Sequence, residues 1–168
     1  MLRKVLSVAV AVSSLSACKT PTEVDNETLV VTADPSPAPA ASLRGVTYTV
    51  RGDDTHPDEI REYDWKTTFN VTIHDMKGLD GLKISGIVVT VQPASGGIVF
   101  NPRSDTVYFD YNVVAASNQV PKKGNASVAV ETWYDLPNNG REALVTVSVS
   151  LIDEDKFTYS DSVEVNIR

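Results

Sequence analysis

Ala143-Leu144-Val145-Thr146-Val147-Ser148-Val149-Ser150-Leu151 is the stretch that decides the fold. Ala143, Val145, Val147, Val149 and Leu151 share one parity, and Thr146, Ser148 and Ser150 fall between them. Successive side chains of a strand point to opposite faces, so this spacing sets an apolar row against a polar one. The chain then turns at Asp153 to Lys156 and returns through Phe157–Tyr159, Val163, Val165 and Ile167. Two alternating runs joined by a short polar turn read as an antiparallel hairpin.

The same period runs upstream. Val46, Tyr48 and Val50 alternate with Thr47, Thr49 and Arg51. Trp65, Thr67, Phe69, Val71 and Ile73 oppose Lys66, Thr68, Asn70, Thr72 and His74. Leu82 to Gln92 places Ile87, Val89 and Val91 on one face, and Gly86 within it marks a bulge or a close backbone approach. Val107, Phe109, Tyr111 and Val113 make another strand, and Ala126, Val128 and Val130 one more. Turn clusters separate them at Pro93–Gly97, Pro121–Gly124 and Leu136–Gly140. Helix signals are nearly absent, except at Thr55–Tyr63, where Thr55 could cap a single turn. About seven strands with no crossover helices predict an all-β antiparallel sandwich and exclude a parallel α/β fold.

The 168 residues suit one domain, and the formal net charge is −7. Residues 1–17 contain Arg3 and Lys4 and no acid, so without them 13 basic and 22 acidic side chains leave −9. That charge argues against nucleic-acid partners and against electrostatic adhesion to anionic lipid. A single cysteine, Cys18, excludes an intramolecular disulfide.

Met1 to Lys4 is a short basic start, and Val5 to Leu15 an apolar run of about 11 residues, too short for a permanent span. Leu15-Ser16-Ala17-Cys18 follows. This order resembles the signal peptide and lipobox of bacterial lipoproteins. The resemblance implies cleavage before Cys18, a diacylglycerol on its thiol and usually an N-acyl group. Lasting attachment needs more than one acyl chain. In Gram-negative lipoproteins the next residue biases sorting, and Lys19 rather than Asp favours the outer membrane over the inner. The expected organisation is a signal peptide at 1–17, the acylated cysteine and a Pro/Ala/Thr-rich tether at 18–44, and a sandwich domain at 45–168. Pro35, Pro37 and Pro39 favour an extended polyproline II tether. Leu29-Val30-Val31 is its one apolar patch, suited to dock as an edge strand.

Residues from Val46 to Arg168 resemble the immunoglobulin-like or fibronectin type III-like modules of bacterial envelope proteins. The residues that carry the likeness are Gln119–Gly124, Leu136–Arg141 and the closing hairpin. The likeness is to the disulfide-free branch, and it implies that Trp65 fills the core where a disulfide would otherwise sit.

No catalytic constellation stands out. His56 and His74 have no metal-ligand spacing, and no nucleophile motif is present. Asp153, Asp155 and Asp161 are the candidates for a Ca²⁺ site, and Asp53, Asp54, Asp58 and Glu59 form a second acidic loop. No Asp-x-Asp-x-Asp-Gly loop exists and Asp favours turns, so turn-building is the preferred reading. Arg51-Gly52-Asp53 reads as a strand ending in a turn rather than an integrin motif, and the N-x-Ser/Thr triplets at Asn26, Asn70 and Asn125 carry no glycan in a bacterial lipoprotein. Trp133, Tyr134 and Tyr108 could offer an aromatic platform, or cover the edge of the core. The expected function is a lipid-anchored, non-enzymatic interaction, adhesion or scaffold module with a protein or glycan partner. The alternative is a calcium- or glycan-binding module.

Overall fold

In the computed structural model the described residues are 28–44, 47–50, 59–96 and 109–168. They form ten strands: β1 (Leu29–Asp34), β2 (Ala40–Ser42), β3 (Thr47–Val50), β4 (Glu59–Glu62), β5 (Trp65–Asp75), β6 (Lys83–Pro93), β7 (Phe109–Ala115), β8 (Asn125–Tyr134), β9 (Ala143–Ile152) and β10 (Thr158–Ile167). One sheet has the order β1-β5-β8-β7, with β2 also paired to β5, a second has the order β10-β9-β6, and β3 and β4 form a separate two-stranded ribbon. Every pairing between these strands is antiparallel. Lettering the seven long strands A to G in chain order gives A-B-E-D in one sheet and C-F-G in the other. That is the constant-type immunoglobulin arrangement.

The alternation seen in the sequence becomes burial. Val145, Val147, Val149 and Leu151 of β9 are buried with Phe69, Val71 and Ile73 of β5, Val128 and Val130 of β8, and Val89 and Val91 of β6. β-branched side chains suit this pleated, fully covered surface. The core centre is therefore aliphatic. Trp65 is not at that centre: it opens β5, half-buried, and packs on the rim of the core. The bulge expected at Gly86 is present, as a register shift between Ile84 and Gly86 against β9.

The tether expected at 18–44 ends earlier, because Leu29–Asp34 and Ala40–Ser42 are both strands against β5. Leu29-Val30-Val31 docks at the sheet edge. Between β1 and β2 the chain crosses to the other sheet, where buried Ala38 bridges Ile167 of β10 in parallel. Ala38 N–H donates to the Asn166 carbonyl (2.9 Å), Arg168 N–H to the Ala38 carbonyl (3.0 Å) and Ala40 N–H to the Arg168 carbonyl (2.9 Å). Prolines 35, 37 and 39 lack an N–H and fit a segment with no ladder to complete. The result is a seam between the edge strands β1 and β10, which satisfies groups an open edge would leave unpaired. The helical turn expected at Thr55–Tyr63 is not formed over its described part: Glu59–Glu62 pairs with β3 as a strand, and residues 51–58 lie outside the described residues. A partner strand outweighs a weak local cap signal.

Candidate functional site

The connections β5–β6, β7–β8 and β9–β10 share one end of the sandwich. The chain also enters there, since Leu29 pairs with Asp75 and Met76 N–H donates to the Thr28 carbonyl (3.1 Å). Asp75 organises this end. It is only 3% exposed. Its carboxylate accepts from the backbone N–H groups of Gly78 (2.8 Å), Leu79 (2.8 Å) and Lys123 (3.0 Å), tying the β5–β6 turn to the β7–β8 connection. Gly78 permits that turn, with a φ of +82° and a Lys123 methylene where a Cβ would sit.

Asp153 does the same for the closing hairpin. It accepts from Phe157 N–H (2.9 Å) and from the Tyr159 hydroxyl (2.7 Å). Burial, then the bond to Asp153 and the negative charge of Asp153, Asp155 and Asp75, push the Tyr159 phenol up to about 12. Asp161 sits on β10 and accepts from Val31 N–H of β1 (3.0 Å) and from Ser162 N–H (2.8 Å), closing the seam. Asp155 is exposed in the turn. The structure therefore gives Asp153 and Asp161 separate backbone partners. Among the described residues no three His, Cys, Asp or Glu side chains are grouped as a metal site. Asp75 escaped the sequence reading, although Asp75-Met76-Lys77-Gly78 has the Asp-first, Gly-fourth signature of a type I turn.

The opposite end is fastened differently. The buried Tyr134 hydroxyl at the end of β8 donates to the Arg141 carbonyl (2.7 Å), spanning the connection to β9. Burial raises its pKa well above the ordinary tyrosine value, and the Arg141 charge opposes this. The Arg141 guanidinium lies over the Trp65 ring at 5.8 Å. Asp64 N–H donates to Asp135 (2.5 Å); burial raises the Asp135 pKa, that bond lowers it, and the Asp64 charge raises it.

A shallow groove of about 310 Å³ lies on the outer face of the first sheet, lined among others by Pro35, Thr68, Asn70, Asn112, Val114 and Glu131. Beside it Lys66 pairs with Glu131 and lies over the Trp133 ring at 5.7 Å. Trp133 faces outward but is half-buried, while Tyr134 belongs to the core. His74 joins a cross-strand row on the same face, bonded to Asn125 Oδ1 (2.8 Å) and Thr32 Oγ1 (3.3 Å). Cys18, Asn26, His56, Tyr108, the Arg51–Asp53 tripeptide and Asp54, Asp58 and their loop lie outside the described residues.

No family model and no curated protein matches this chain. Among solved structures it is similar to the X-ray structure of Northeast Structural Genomics Consortium target SoR45, at 6% identity and a TM-score of 0.47, covering 85% of this chain and 89% of that one. No helix among the described residues is long and apolar enough to cross a membrane.

Proposed function

We propose that this chain is a lipid-anchored cell-envelope protein that presents an immunoglobulin-like interaction module. The observation that carries the reading is the order of basic start, short apolar run, two small residues and Cys18. Cys18 is the attachment point, through covalent lipid on its thiol, and Lys19 favours the outer membrane. The sandwich begins at Leu29, so the tether is the short stretch between Cys18 and Thr28.

The role is non-enzymatic. Asp75, Asp153, Asp161 and His74 spend their polar atoms on backbone or neighbouring side chains, which suits a scaffold. The partner is a protein, met by the outer sheet faces, where Val88 and Val114 stand more than half exposed. Replacing Cys18 by Ala tests the anchor: the variant is expected in the soluble fraction, without label from an alkyne-tagged palmitate. A membrane distribution like the parent's contradicts it.

A glycan is the second reading. It rests on the groove, lined by the amides of Asn70 and Asn112 and the Glu131 carboxylate, with Lys66 joining Glu131 to the Trp133 ring beside it. The domain without residues 1–18, applied to a glycan array, tests it. Binding lost in Asn112→Ala supports a glycan, and an array with no signal removes it.

A further inference from the structure

We propose that the end of the sandwich formed by the β5–β6, β7–β8 and β9–β10 connections rests on the lipid headgroups of the membrane that holds Cys18. The proposal rests on the anchor reading and adds an orientation and a contact surface to it. The first argument is covalent. Cys18 and Thr28 are ten residues apart, which spans at most about 35 Å whatever the path. Thr28 enters at this end. The opposite end, with the β8–β9 connection, lies a further strand length away, about 33 Å for the ten residues of β9.

The second argument is chemical. Met76 in the β5–β6 connection is 58% exposed and Phe157 in the β9–β10 connection 57%. Both are large apolar side chains on turns, where no strand neighbour covers them. Five of the six lysines from Thr28 onward belong to this end: Lys77, Lys83, Lys122, Lys123 and Lys156. All five are exposed, and Lys122 pairs with Asp80 at 2.8 Å. The acids here are also five, Asp75, Asp80, Asp153, Glu154 and Asp155, so the end is neutral. The other residues from 28 to 168 hold seven basic and fourteen acidic side chains, the whole net negative charge of that span. An anionic surface thus repels the body of the domain and accepts this end. Apolar tips flanked by lysines match a headgroup layer, where the aliphatic stems lie along the acyl boundary and the ammonium groups meet phosphate.

The single cysteine makes the test clean, because an acylated Cys18 leaves any introduced thiol as the sole labelling site. The lipoprotein is purified from membranes as Met76→Cys, Phe157→Cys or Asn138→Cys, labelled with an environment-sensitive fluorophore, and reconstituted in phosphatidylethanolamine–phosphatidylglycerol vesicles. Positions 76 and 157 are expected to shift to the blue on reconstitution, with at least a twofold gain in intensity, while position 138 at the far end stays unchanged. Protein that floats with the vesicles yet shows the same emission at all three positions overturns the proposal and leaves the anchor intact. Protein that does not float removes the anchor, and the lipid contact with it.

Discussion

The two ends of the sandwich differ in how many segments a single side chain ties together. At the entry end carboxylates accept from backbone N–H groups: Asp75 from three and Asp153 from Phe157. At the far end a phenol donates to a backbone carbonyl, Tyr134 to Arg141, and one carboxylate, Asp135, accepts from Asp64 N–H alone. A carboxylate offers several lone pairs and can gather N–H groups from distant segments, whereas a hydroxyl donates once. One acid therefore unites two loops at the entry end, while one tyrosine fastens a single connection at the other. In the fold Asp75 and Asp153 hold these loops through backbone N–H groups.

The largest expected effect is at Asp75. Asp75→Ala leaves three part-buried N–H groups without their acceptor, and bonds to charged groups are the stronger kind, so the loss is about 3 kcal/mol in denaturant unfolding. A loss below that of Tyr134→Phe would erase the difference between the ends. Tyr134→Phe deletes one bond and strands the Arg141 carbonyl, an expected cost of about 1–2 kcal/mol. Its hydrogen-exchange signature should stay within the β8–β9 connection, and spreading to the entry loops would show that the ends are not independent.

Asp161→Ala is expected to cost about 1 kcal/mol, with faster exchange of the Val31 amide as the sharper readout. An unchanged Val31 amide would mean the seam is held by Ala38 alone. The smallest effect is a pH dependence. The Tyr159 phenol titrates near 10.0 when unperturbed and about 12 in the fold, so the native state holds this proton more tightly. Its contribution is complete below pH 10 and fades as the pH rises toward 12. Tyr159→Phe should flatten the stability profile over that interval, and an unaltered slope would assign it to another group.

Much of this fold is legible in the sequence because period-two alternation is local. β9, β10, β5 and β8 follow from the parity of their valines and isoleucines, and the Gly86 bulge from a glycine in a strand. The order of the sheets is not local, since it depends on which edges meet. The crossing at Pro35–Pro39 shows the limit: alternating prolines and small residues serve a free spacer or an edge-hugging segment equally, and only the pairing of Ala38 with β10 distinguishes them. Asp75 was hidden for a related reason, because its third N–H partner, Lys123, lies 48 residues away. Trp65 looks like a core residue by parity, but its place at the first residue of β5 puts it on the rim.

The central claim is that this sandwich hangs from a membrane by Cys18. Mass spectrometry of the mature protein from its native host tests that most directly. The account predicts an N-terminal peptide that begins at Cys18 and carries the mass of a diacylglyceryl group with or without an added N-acyl chain. A mature chain whose Cys18 is an unmodified thiol, or whose first residue lies elsewhere, would contradict it.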